Sequence, residues 1–234
     1  MSCITFLTSG SLRGPAHGCG TPDYPPSVSR VVNGEDARPY SWPWQVRQSR
    51  TYRVVMGEYD LTKRRAASRS GVWRRSLFTL TGMTTACPVG NNDIAMIKLA
   101  SPVVLNDKVQ PSCVPESGEV APHDDPCYVT GWGRIYSGGP LASAPCGRPQ
   151  RCSSSVWWGG GGTVNTTMIC GGGDIRSGCH GDSGGPLNCR GRDVQGVTSF
   201  VSSRGCNTLM KPTVFTRTSS FTKWISDLSI LHTN

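Results

Sequence analysis

The stretch Ser177-Gly178-Cys179-His180-Gly181-Asp182-Ser183-Gly184-Gly185-Pro186 carries the residues best suited to chemistry. Glycines on both sides of Ser183 permit a tight turn whose backbone N–H groups converge on one point. That geometry stabilises the oxyanion formed when a hydroxyl attacks a carbonyl. A lone G-x-S-x-G pattern is a weak signal. The run from Gly181 to Pro186, preceded by a cysteine and followed by a β-favouring stretch, is a strong one. A serine nucleophile also needs a base to take its proton and a third group to orient that base. Asp93, in Asn92-Asp93-Ile94-Ala95, has the carboxylate for the orienting role, although an Asp before an apolar run also reads as a turn cap. The histidines are few and scattered: His17, His123, His180 and His232.

These residues need a rigid frame. From Val31 onward the chain consists of short apolar, β-favouring runs punctuated by Gly, Pro, Asn and Asp. Examples are Arg53–Met56, Ile94–Leu99, Cys127–Gly131, Val194–Ser199 and Thr213–Thr216. Strands of that length and spacing predict an all-β sandwich or barrel. Only Ser219–Leu231 has helical spacing, with Phe221, Trp224, Ile225, Leu228 and Leu231 on one stripe, and it predicts a terminal helix packed on the barrel. Residues 19–30 read as an extended leader without periodicity.

Composition narrows the function classes. The 234 residues suffice for one sizeable core or two small ones, and 29 Gly with 17 Pro leave little room for long helices. No apolar run approaches the roughly 20 residues that cross a bilayer, so no membrane partner is expected. The net charge of +9 is concentrated, because Lys63, Arg64, Arg65, Arg69, Arg74 and Arg75 lie in one acid-free stretch. Without these six the balance is 9 − 6 = +3, and a nucleic-acid partner is not expected. Eleven distributed cysteines, without paired C-x-x-C spacing, predict disulfides and an oxidising compartment rather than a metal site or cofactor. Met1–Gly18 fits that compartment poorly as a signal, since Thr8, Ser9, Gly10, Ser11, Arg13 and Pro15 break any apolar run.

Taken together, several motifs make the sequence resemble the chymotrypsin-like serine proteases, and within them the pancreatic elastases. Besides Gly181–Pro186 they are Arg30-Val31-Val32-Asn33-Gly34, Pro39–Val46, Asn92–Ala95, Cys127–Arg134 and Lys211–Arg217. The resemblance implies two Greek-key β-barrels with a C-terminal helix: a leader and activation peptide over 1–30, an N-terminal barrel over 31–118 and a C-terminal barrel over 119–234. It implies Ser183 as nucleophile, the Gly181 and Ser183 N–H groups as oxyanion hole, and Asp93 as the carboxylate behind the base. It implies Arg30–Val31 as the zymogen cleavage bond, cut by a trypsin-like protease, with the freed Val31 ammonium pairing with Asp182. Ser177, Val201 and Thr213 correspond to positions lining the primary specificity pocket, which then suits small uncharged side chains. The resemblance further implies a secreted monomer acting on peptides or proteins, open to protease inhibitors, with bridges Cys19–Cys113, Cys127–Cys189, Cys152–Cys170 and Cys179–Cys206.

The pattern fails at the base. In this family the histidine should lie between Val46 and the strand beginning at Arg53, along with two barrel strands. Here only Arg47-Gln48-Ser49-Arg50-Thr51-Tyr52 join them. His180 corresponds to the rim of the substrate pocket, and none of the other histidines falls at the required place. The expected N-terminal barrel is therefore truncated and the triad incomplete. Ala66–Gly90 and Ser143–Gln150 also match nothing in the family. Three readings follow: an elastase-type endopeptidase by family whose activity is lost in this chain, a non-catalytic pseudo-protease that binds substrates or inhibitors, and a defective product without folded function.

Overall fold

The computed structural model describes residues 6–8, 18–26, 35–49, 53–62, 69–79, 91–99, 101–122, 125–141, 146–150, 155–159, 163–173, 176–190 and 193–231. The architecture is all-β with one helix, as predicted. The strands are β1 (Phe6–Thr8), β2 (Glu35–Asp36), β3 (Val46–Ser49), β4 (Arg53–Met56), β5 (Arg69–Thr79), β6 (Ala95–Leu99), β7 (Cys127–Gly131), β8 (Cys146–Gln150), β9 (Met168–Gly171), β10 (Pro186–Cys189), β11 (Asp193–Phe200) and β12 (Thr213–Arg217), followed by α1 (Thr222–Leu231). One sheet has the order β1-β6-β5-β4-β3, the other β2-β8-β7-β10-β11-β12-β9.

In the first sheet β3 and β4 form an antiparallel hairpin in which Ser49 faces Arg53. Three residues join them, so no further strand can be accommodated between them. The edge of β6 is covered instead by β1, which runs parallel to it with Phe6 opposite Met96 and Thr8 opposite Lys98. Residues within the span read as a leader thus supply a strand, an assignment the sequence did not predict. Both windows without family resemblance also contribute strands. β5 pairs with β4 and β6, and a bulge between Trp73 and Leu77 sets Arg74-Arg75-Ser76 outside regular register. β8 pairs residue for residue with β7, with Pro149 opposite Tyr128 and beyond the short stretch that β2 covers.

Three of the core clusters set the layout of the two sheets. Val54, Met56, Ile97, Leu99 and Val109 pack inside the first sheet. Ala121, Cys127, Val129, Ile169, Leu187, Cys189 and Phe215 fill the second. Between them Ile94 and Met96 from the first sheet meet Val197 from the second and Phe221 and Ile225 beside and on the helix, with Trp224 and Leu228 against them. The helix stripe read from the sequence is therefore a clamp across both sheets. A buried polar seam reinforces it. Trp44 Nε1 donates to Asn188 Oδ1 at 2.7 Å, Asn188 Nδ2 to Thr130 Oγ1 at 2.9 Å, and Thr130 Oγ1 to Gln45 Oε1 at 2.7 Å. Each member is satisfied by the next, which is the condition for burying such groups without a large desolvation penalty.

Three expected bridges are present: Cys19–Cys113, Cys127–Cys189 and Cys179–Cys206. Cys152 lies outside the described residues. The segment around Cys19 is docked on the 106–113 segment by further contacts. Gly20 N–H donates to Pro111 O at 2.9 Å, Tyr24 Oη to Asp107 Oδ2 at 3.0 Å and Gln110 Nε2 to Asp23 Oδ2 at 2.6 Å. The Asp107 carboxylate raises the Tyr24 pKa, first through that hydrogen bond and then through its charge.

Adjacent strand amides point to opposite sides, so one of any neighbouring pair in β1 must face β6. Replacing both Leu7 and Thr8 by proline should therefore accelerate amide exchange at alternate positions of Met96–Lys98 while leaving β10–β12 protected. Exchange mass spectrometry reads this directly; unchanged protection at β6 would deny β1 its place in the sheet.

Candidate active site

Ser183 is exposed on the turn between Cys179 and β10. That turn is built by backbone bonds: Asp182 N–H to Cys179 O at 3.0 Å, Gly185 N–H to Asp182 O at 2.8 Å and Gly184 N–H to Thr198 O at 2.9 Å. Gly181 has φ +100° and Gly184 φ +79°, the left-handed region where side chains are strained. Among the described residues neither the Gly181 nor the Ser183 N–H donates to a protein acceptor, and nothing hydrogen-bonds Ser183 Oγ.

The turn's keel is Asp182, 2% exposed. Its Oδ1 accepts from Gly133 N–H at 2.9 Å and its Oδ2 from Cys179 N–H at 3.0 Å. A buried carboxylate costs several kcal/mol unless such donors meet it. Gly131 and Gly133 make the approach feasible, because a Cβ at either position would overlap the carboxylate. Trp132 between them donates its Nε1 to Tyr59 O at 3.0 Å, fastening this cradle to the first half of the chain. Arg30 and Val31 lie outside the described residues.

Asp93 sits half-buried just before β6 and is fastened to the second sheet. Ser199 Oγ donates to its Oδ2 at 2.7 Å and Thr216 Oγ1 to its backbone O at 2.9 Å. Thr198, next to Ser199 on β11, donates its N–H (2.9 Å) and Oγ1 (3.1 Å) to Gly185 O and accepts from Gly184 N–H. The segment after Ser183 and the Asp93 carboxylate are thus moored to adjacent residues of one strand. A truncated barrel would be expected to let Asp93 drift; these bonds hold it. The sequence reading missed Ser199, Thr198 and the role of Gly131 and Gly133. The two glycines flank Trp132 in a motif quoted for resemblance alone, while Ser199 stands 106 residues from its partner with no local signal.

The residues expected to line the specificity pocket lie close along the same strands and turns. Ser177, 2% exposed, donates its hydroxyl to Gly178 O at 2.8 Å and accepts from Asn207 N–H at 2.8 Å. Thr213, fully buried, accepts Gly178 N–H at 2.9 Å. Val201 follows β11 and is half-buried, and the Cys179–Cys206 bridge ties the two sides together. His180 is exposed, and its carbonyl accepts from Arg134 N–H at 2.9 Å. His17, His123 and His232 lie outside the described residues. Among the described residues no three His, Cys, Asp or Glu side chains group to hold a metal ion.

Two substitutions test this scaffolding. Gly133→Ala, which forces a methyl into the Asp182 carboxylate, should cost about 1–3 kcal/mol in denaturant unfolding, the range for overpacking. Ser199→Ala should cost about 1.5–3 kcal/mol, as expected for a bond to a charged group, and Ser199→Thr should restore most of it.

The chain is similar to known proteins at every level compared. The trypsin family model matches residues 46–225. The chain is 44% identical to chymotrypsin-like elastase family member 3B of Homo sapiens over 271 positions, covering 98% of this chain and 99% of that protein. It is 44% identical to proproteinase E of Bos taurus, over 85% of this chain and 94% of that protein, and 40% identical to chymotrypsin-C of Mus musculus, over 91% and 94%. An alignment of 271 positions leaves at least 271 − 234 = 37 positions of the human relative without a counterpart here. The fold matches that of neuropsin, a serine protease expressed in the limbic system of mouse brain, with a TM-score of 0.74 at 23% identity over 85% of this chain and 99% of that one. The chain belongs to the trypsin family of chymotrypsin-like serine proteases, and within it to the elastase type.

Proposed function

We propose that this chain is an elastase-type endopeptidase scaffold that binds peptides and does not hydrolyse them. The observation that carries the reading is the short β3–β4 link: Ser49 faces Arg53 across a hairpin joined by three residues, none of them histidine. The interval where the resemblance expects the base therefore holds none. The exposed Ser183 hydroxyl, without a hydrogen-bond partner among the described residues, agrees with this. In the proposal Ser183 is the nucleophile position, Gly181 and Ser183 N–H the oxyanion hole, Asp93 the carboxylate that lacks its imidazole, and Arg30–Val31 the activation bond, with Val31 pairing with Asp182. The leader occupies 1–30 and the two barrels 31–118 and 119–234, although β1 and β2 each join the sheet of another segment. Export into an oxidising compartment is part of the same reading, supported by the three bridges.

What survives is binding. The hydrogen bonds joining Ser177, Gly178, Thr213 and Asn207 support a preformed pocket for small uncharged side chains, and no carboxylate is among these residues. Peptides ending in Ala at the pocket, and protein inhibitors presenting one, are the proposed ligands.

Removing a triad member costs on the order of 10⁶ in kcat in related chemistry. Trypsin-treated chain should therefore neither react with a fluorophosphonate probe nor turn over an alanyl ester, while still binding an alanyl peptide in calorimetry. Labelling at Ser183 with ester turnover typical of digestive enzymes would overturn the silent reading. Silence together with failure to bind would leave only a defective product. The same trypsin treatment should yield one species on a non-reducing gel and a separate small leader peptide after reduction, because Cys19–Cys113 spans the cut.

A further inference from the structure

The turn before β9 carries an unused signal. Of the eight asparagines in the chain, only Asn165 begins an Asn-x-Ser/Thr triplet with a non-proline centre, Asn165-Thr166-Thr167. That pattern is the acceptor for N-linked oligosaccharide transfer and demands a surface position in an exported protein. The position qualifies: Asn165 and Thr166 are exposed, and the turn closes with Met168 N–H donating to Asn165 O at 3.1 Å. Thr167 donates its N–H (2.8 Å) and hydroxyl (2.7 Å) to Asn165 Oδ1, which fixes the carbonyl inward and presents Nδ2 outward. Nδ2 donates to Asn91 Oδ1 at 2.7 Å, in the exposed turn that leads to Asp93.

We propose that Asn165 is an N-glycan acceptor; the proposal rests on the export reading above. In the transfer, Nδ2 forms a bond to the anomeric carbon of a lipid-diphosphate-linked oligosaccharide. The bond from that carbon to the phosphate oxygen breaks, and one Nδ2 hydrogen leaves as a proton to the departing lipid diphosphate. The second Nδ2 hydrogen remains on the amide, so the link to Asn91 does not require both. Because the turn precedes β9 and lies outside the buried Met168, Cys170 and Val214 cluster, the added saccharide meets solvent instead of core. It would stand over the seam where the Asp93 turn meets the second half of the chain.

The test translates the full chain, preceded by a cleavable export signal from another secreted protein, in the presence of microsomes. Wild-type chain in the protease-protected fraction should show one discrete upward gel shift. Peptide-N-glycosidase should remove it and leave position 165 deamidated by mass spectrometry. Asn165→Gln and Thr167→Ala should each abolish the shift, and Thr167→Ser should keep it. A protected wild-type chain that co-migrates with Asn165→Gln and shows no deamidation at 165 overturns the proposal. A non-reducing gel of the same protected fraction separates the two ideas. If Cys19–Cys113, Cys127–Cys189 and Cys179–Cys206 fail to form in that oxidising lumen, the export reading falls, while the gel shift alone decides whether Asn165 is an acceptor.

Discussion

Thr198 and Ser199 stand side by side on β11, and through them the Ser183 turn and Asp93 are held to one strand. Thr198 takes the backbone of Gly184 and Gly185, which fixes the exit of the Ser183 turn. Ser199 takes the carboxylate of Asp93, which arrives from the other sheet. Because neighbouring strand residues project to opposite faces, one strand can hold a backbone segment through one residue and a distant side chain through the next. The helix clamp over Ile94, Met96 and Val197 then presses the two sheets together at the same level.

In the reading proposed above, architecture and chemistry come apart at this site. Asp182 is buried and accepts two backbone N–H groups, Gly181 and Gly184 take positive φ that glycine tolerates, and Ser177 and Thr213 both bond to Gly178. None of these contacts involves a histidine side chain. The turn and the residues behind it take their shape without one, so the fold by itself does not report turnover.

Much of this was legible in the chain. β4 and β7 occupy the spans read from apolar runs, β6, β11 and β12 differ by a residue or two at their ends, and the terminal helix carries its expected stripe. These segments have a clean period or a β-branched core that local sequence reveals. β5 and β8 were opaque for opposite reasons: a bulge displaces Arg74 and Arg75 and breaks the alternation, and Pro149 discourages a strand reading unless the adjacent edge is known to be vacant. At the site, Ser183, Asp182 and the turn glycines announce themselves by adjacency. Ser199 could not, since what makes it matter is an acid 106 positions away. β1 could not either, because nothing in three residues of Phe-Leu-Thr signals that a sheet edge elsewhere needs a neighbour.

That last strand has a consequence for the whole first sheet. β1 lies along β6 in parallel, so a chain without Phe6–Thr8 would present bare β6 backbone to any passing strand.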